Sequence, residues 1–227
     1  MHKIAVILSG CGVMDGSEIH ESVITLLAIE KEGFAYECFA PDREQPKVVN
    51  HLNNKLENEK RNMLVEAARI ARGRIRDVKE LNPNDFEAVI LPGGFGAACN
   101  LSTFAKDGSH ASVLEEVEKV LKEFHKQKKP IGAMCIAPNI LAKVFGNNDV
   151  ELTIGNDTST ARKLEDMGAK HIDKTADDIV LDNKNFIVTT PAYMLGTSLK
   201  EIEVGITKLV KSVTQLAKSK ALIQNLS

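Results

Sequence analysis

Residues 4–8 form an unbroken apolar stretch inside the segment 3–9, which Gly10 bounds. A short run without alternation predicts a strand covered on both faces. Residues 17–32 then follow helical spacing. Asp15 or Ser17 supplies a cap, Glu18 and Glu21 suit the positive end, and Gly33 closes the helix. On the helical wheel Ile19, Val23, Leu26 and Leu27 mark the main apolar face, with neither Glu at its centre. Residues 34–39 predict a second strand. Strand, helix, strand at this spacing predicts a parallel sheet.

Further along, 41–58 is polar and rich in Asn and Lys, which predicts a small inserted hairpin covering an edge or a pocket. Helices are expected over 60–72, 112–128, 137–145, 158–167 and 197–218. Strands are expected over 86–91 and 131–134, with weaker ones near 150–154, 178–181 and 186–190. Repeats and long linkers are absent from the sequence, so 1–227 is expected to be a single α/β domain. In a doubly wound sheet the ligand crevice lies beyond the carboxyl ends of the strands.

Composition narrows the picture further. Of 227 residues, 43% are hydrophobic and 26% charged, which excludes disorder as the main state. Net charge is −2 and Trp is absent, so nucleic acid is not expected as a partner. No apolar run reaches the ~18 residues of a membrane span, so no membrane partner is expected. The amino-terminal apolar stretch reads as a strand rather than a signal peptide. The four cysteines Cys11, Cys38, Cys99 and Cys135 lack CxxC or Cys/His spacing. They read as free thiols of a cytoplasmic protein, with no metal site.

Four segments fall at predicted strand ends: 9–21, 92–100, 133–138 and 189–193. The most informative is Gly132-Ala133-Met134-Cys135-Ile136-Ala137-Pro138. A strand turns directly into a helix with Cys135 at the turn, a nucleophile elbow with sulfur in place of oxygen. The helix start favours thiolate, and the Ile136 amide suits an oxyanion. A buried space-filling cysteine is the alternative. Pro92-Gly93-Gly94-Phe95-Gly96 offers close backbone approach and free amides, a second oxyanion wall or simply a tight turn. Gly10-Cys11-Gly12-Val13-Met14-Asp15-Gly16 departs from the dinucleotide fingerprint, and Asp15 falls where pyrophosphate would lie. Glu18 and Glu21 either complement the helix dipole or place a carboxyl beside the thiol. Among six histidines, most expected at the surface, only His20 lies near a predicted strand end. Cys11 is the other thiol near the crevice.

Taken together, the stretches IAVILSGCGVMDGSEIHES, CFAPD, NMLVEAARIARGRI, LPGGFGAACNLSTFA, GAMCIAPNILAKVF, LTIGND and IVTTPAYML resemble the ElbB-type glyoxalases (enhancing lycopene biosynthesis proteins) of the ThiJ/PfpI superfamily. They keep their order from residue 4 to 195. The resemblance implies a flavodoxin-like three-layer sandwich with a mostly parallel central sheet and a catalytic cysteine, Cys135. It places the superfamily E-x-x-E on Glu18 to Glu21, with Glu21 beside the thiol, and the Gly-rich loop on Gly93 and Gly94. This chain has Ile136-Ala137 where many members have His or Ala-Gly after the cysteine. The downstream histidine of some members falls near 155–157, where none exists.

The activity so implied is glutathione-independent conversion of glyoxal or methylglyoxal to the 2-hydroxy acid. Cys135 is the nucleophile, Glu21 or His20 the general base, and no cofactor or metal takes part. The rival readings are a redox sensor with an oxidisable Cys135 and a deglycase or amidohydrolase on the same thiol. A small aldehyde is the expected partner, and a homodimer the expected assembly.

Overall fold

The computed structural model describes residues 2–226, with side chains through 219. The chain runs β1 (Lys3–Ile7), α1 (Ile19–Lys31), β2 (Ala35–Ala40), β3 (Val49–Asn50), β4 (Lys55–Leu56), α2 (Met63–Ile70), β5 (Ile75–Asp77) and β6 (Ala88–Leu91). It continues through two one-turn helices, α3 (Gly96–Cys99) and α4 (Phe104–Asp107), then α5 (Glu115–Lys126), β7 (Ile131–Met134) and α6 (Pro138–Phe145). The last third holds β8 (Glu151–Leu152), α7 (Thr158–Glu165), β9 (Lys170–His171), β10 (Val180–Asp182), β11 (Ile187–Thr190) and α8 (Leu199–Leu226).

Among the described residues, seven strands form one sheet in the order β10-β11-β7-β6-β1-β2-β5. Only β10 runs antiparallel, against β11. Helices flank the sheet: α1 and α8 pack on each other, α8 lies over β6, β7 and β11, and α5 covers β6 and β7. This is the flavodoxin-like α/β architecture the sequence implies. The apolar runs are explained by position. Strands β6, β7 and β11 are buried at every residue, and β1 at every residue but Lys3. Antiparallel β3 and β4 form a hairpin inside the polar segment 41–58. No helix is long and apolar enough to cross a membrane among the described residues.

Three local expectations are corrected. Glu18, not Asp15 or Ser17, caps α1: its side chain accepts from the Glu21 amide. Asp15 instead accepts from the Val49 amide, and Ser17 from the Ser9 amide. The buried face of α1 is Glu21, Ser22, Thr25, Leu26, Ala28 and Ile29. Ile19, Val23 and Leu27 stay 44%, 51% and 47% exposed. The small polar groups go inward because their hydroxyls are satisfied locally, Ser22 donating to the Glu18 carbonyl and Thr25 to the Glu21 carbonyl. The carboxy-terminal helix, expected to end near 218, continues to Leu226.

Strand β7 carries Gly132, where an added Cβ would meet Leu209 at 2.9 Å and Val213 at 3.3 Å. The sheet and α8 thus pack closely at Gly132, three residues before the elbow cysteine. Leu209→Ala, which empties a fully buried site there, is expected to cost about 2–5 kcal/mol of stability in urea unfolding, with an unchanged m-value.

Candidate active site

The parallel neighbours β11, β7, β6 and β1 all end on one side of the sheet. The four segments that follow them therefore meet. After β7, Cys135 takes φ +58°, a left-handed conformation that a non-glycine residue adopts only against a steric cost. Its amide donates to the Thr190 carbonyl at 3.0 Å, which fixes the turn to the end of β11. Pro138 starts α6 three residues later.

After β6, Gly93 and Gly94 close over the sulfur. A Cβ on Gly93 would stand 2.3 Å from Cys135 Cβ and 2.5 Å from Glu21 Oε2, so only glycine fits. Gly94 takes φ +95° against the backbone of residues 16–18. The Glu18 amide donates to the Gly93 carbonyl, the Phe95 amide to Val13, and the Gly96 amide to Gly16. These bonds zip the glycine loop to the β1 loop. Asn100, absent from the sequence-based site, joins the two loops again through bonds of 2.7 Å to the Ser9 and Asp15 carbonyls. A lone buried amide gives no signal in a single sequence.

Glu21 is fully buried and faces Cys135, to which it hydrogen-bonds. Its Oε2 accepts from the Gly93 amide at 2.9 Å and its Oε1 from the Tyr193 amide at 3.1 Å. Burial is the main cause that raises its pKa, to about 8, and the Glu18 carboxylate adds to it. The two amide bonds oppose the rise. Burial and the Glu21 carboxylate push the Cys135 thiol well up, while the Gly94 and Ile136 amides favour its anion. Protonation of Glu21 removes the charge repulsion and leaves those amides acting on the sulfur. Burial and mutual repulsion raise both groups, so acid and thiol titrate as a coupled pair.

The remaining sequence candidates divide clearly. The Gly93 amide is committed to Glu21, which corrects its assignment to an oxyanion wall; Gly94 and Ile136 are the amides that address the sulfur. Glu18 caps the helix and lies close behind Glu21. Cys11 is set apart: it is half-buried in the field of Glu66, Arg69, Asp15 and Arg61, and burial raises its pKa. His20 is half-exposed, with Nδ1 3.0 Å from Tyr193 Oη and 3.9 Å from Glu18 Oε1. Tyr193 is the residue sequence reasoning omitted, although it ends a segment placed at the crevice. His171, expected at the surface, is an inward side chain whose Nε2 accepts from the Ile154 amide.

Fold and site together define an α/β protein with a cysteine elbow and a buried carboxyl partner. The DJ-1/PfpI family model matches residues 11–198, and the chain belongs to that family. The family includes enzymes with a nucleophilic cysteine, and glyoxalase, deglycase and stress-response members. The rat ES1 protein homolog, mitochondrial, is 46% identical over 94% of this chain and 84% of its own length. The human glutamine amidotransferase-like class 1 domain-containing protein 3, mitochondrial, is 46% identical over 94% and 83%. A solved isoprenoid biosynthesis protein with an amidotransferase-like domain from Ehrlichia chaffeensis has a TM-score of 0.87 and 37% identity, covering 94% of this chain and 99% of its own. The expectation of a cytoplasmic location is overturned by these relatives, since the rat and human proteins are mitochondrial by name.

The buried acid carries a pH signature. Between an unfolded value near 4.5 and a folded value of about 8, native Glu21 holds a proton that the unfolded chain has lost. Its contribution is complete below the lower value and lost as pH rises through the upper one. Relative to Glu21→Gln, the wild type is expected to lose stability on the order of 1 kcal/mol per pH unit as pH rises across that window. Parallel pH dependences in denaturant titrations of the two proteins would contradict the buried, protonated acid.

Proposed function

We propose that this protein is a glutathione-independent glyoxalase acting on glyoxal or methylglyoxal. The observation that carries the reading is the Cys135 sulfur, addressed by the Gly94 and Ile136 amides and bonded to a buried carboxyl with a raised pKa. Burial holds the thiol protonated; once that proton has left, a protonated Glu21 is placed to donate a hydrogen bond to the thiolate beside the Gly94 and Ile136 amides. Cys135 is a buried residue, 7% exposed, which suits a two- or three-carbon substrate.

Thiolate adds to the aldehyde carbon, and the carbonyl electron pair becomes an alkoxide that the two amides stabilise. The alkoxide takes a proton, giving a hemithioacetal. A base removes the proton on that carbon and the electrons form an enediol. Reprotonation at the neighbouring carbon gives a thioester of the 2-hydroxy acid. Water cleaves it, releasing glycolate or lactate and the free thiol. Glu21 sits beneath the sulfur to give and take the thiol proton. His20, half-exposed and bonded to Tyr193, is the candidate for the carbon-bound proton.

A second reading is favoured by the same donors. Amides and a protonated carboxyl that stabilise a thiolate also stabilise an oxidised anionic sulfur, so Cys135 is suited to sensing peroxide. The amidohydrolase reading fits less well, because the ionisable partner of Cys135 is a carboxyl rather than a histidine.

The test is acid production from glyoxal and methylglyoxal without glutathione. Wild type is expected to form glycolate and lactate. Cys135→Ala is expected to form none, and Glu21→Gln to lose at least tenfold in kcat/KM. A wild type that makes no acid, or a Cys135→Ala that makes as much, ends the glyoxalase reading. Mass spectrometry after mild peroxide then decides for the sensor if Cys135 alone gains oxygen.

A further inference from the structure

The turn after β11 contains a second unusual backbone. Ala192 is fully buried and has φ +43°, directly before Tyr193. No glycine relieves the turn, so its surroundings must hold it. What the turn achieves is visible in its two polar contacts. The Tyr193 amide reaches Glu21 Oε1 at 3.1 Å, and the Tyr193 phenol oxygen reaches His20 Nδ1 at 3.0 Å. One residue thus holds both candidate proton-transfer groups, two contacts from the sulfur.

The His20 ring is constrained on one nitrogen. Its Nδ1 lies between the Tyr193 phenol oxygen and Glu18 Oε1 at 3.9 Å. The rings of His20 and Tyr193 also contact each other, with centroids 5.9 Å apart and tilted by 49°. A carboxylate near Nδ1 favours a proton on that nitrogen, and the phenol oxygen then accepts it. A neutral imidazole with hydrogen on Nδ1 keeps its lone pair on Nε2. Glu18 is itself held in place, because its other oxygen accepts from the Glu21 amide at 2.7 Å. The groups facing His20 are therefore Glu18 on its own helix and Tyr193 from the β11 turn.

We propose that Tyr193 is a positioning residue: with Glu18 it fixes the Nδ1–H tautomer of His20 and so makes Nε2 the proton acceptor of the site. The inference rests on the proposed isomerisation for its catalytic consequence, though the tautomer itself is independent of any activity. The phenol acts through His20 rather than on the substrate. The alternative, in which Tyr193 simply fills the turn, requires no particular tautomer.

Long-range nitrogen–proton NMR of the full-length protein reads the tautomer directly. Wild type is expected to show His20 with its proton on Nδ1. Tyr193→Phe keeps the ring and the backbone bond to Glu21 but removes the phenol oxygen, and is expected to give a mixture with the Nε2–H form. Kinetically, Tyr193→Phe is expected to lower kcat about tenfold with KM little changed, a part of the 10²–10⁴ that a general base contributes. In a His20→Ala background the same substitution is expected to have no further effect. An unchanged His20 tautomer in Tyr193→Phe overturns the proposal, as does an equal loss of kcat with and without His20. If wild type makes no acid, the glyoxalase reading fails, and the NMR comparison still decides whether Tyr193 sets the tautomer.

Discussion

The site is organised around a carboxyl group that is kept out of water beside a thiol. Glu21 has no access to solvent, and its partners are two backbone amides, from Gly93 and Tyr193, and the Cys135 sulfur. A buried carboxylate without full compensation is costly, so the acid retains its proton into the neutral range. That one constraint dictates much nearby. Position 93 must be glycine, because a side chain would strike both Glu21 and Cys135. The β11 turn must place an amide at residue 193, which it does through the left-handed Ala192.

Two non-glycine residues in left-handed conformations lie on neighbouring parallel strands, Cys135 after β7 and Ala192 after β11. Such backbones persist only where surrounding packing overdetermines them. Here the packing is the sheet itself, fully buried at β7 and β11, with α8 packed against Gly132, three residues before the elbow cysteine. The long carboxy-terminal helix therefore supports the chemistry without touching it. In front, the glycine loop is tied to the β1 loop by backbone bonds and by Asn100. A shift of one wall would carry the Gly94 amide with it.

Helix α1 shows why a hydrophobic pattern misleads at a functional site. The wheel favours Ile19, Val23, Leu26 and Leu27 as the inward stripe; the fold buries Leu26 and leaves the other three outside. Glu21, Ser22 and Thr25 go in, because hydroxyls can bond back to the helix and the carboxyl finds amides from other loops. Burying a charged residue type is favourable only when partners distant in sequence are present. Gly93 is 72 residues away and Tyr193 is 172. Periodicity carries no information about such partners.

Much of the architecture was legible in the chain itself. Continuous apolar strands alternating with helices require a sheet covered on both faces, and a cysteine between strand and helix marks the elbow, because both are properties of local segments. The sequence also placed Glu21, Gly94, Ile136 and His20 at strand ends. Tertiary structure alone decided the roles within that group. It committed the Gly93 amide to Glu21, set Cys11 beside Arg61, Glu66 and Arg69, and brought Tyr193 between Glu21 and His20. The reason is physical: an element's type follows from nearest neighbours along the chain, whereas a proton's position depends on burial and on donors that only folding brings together.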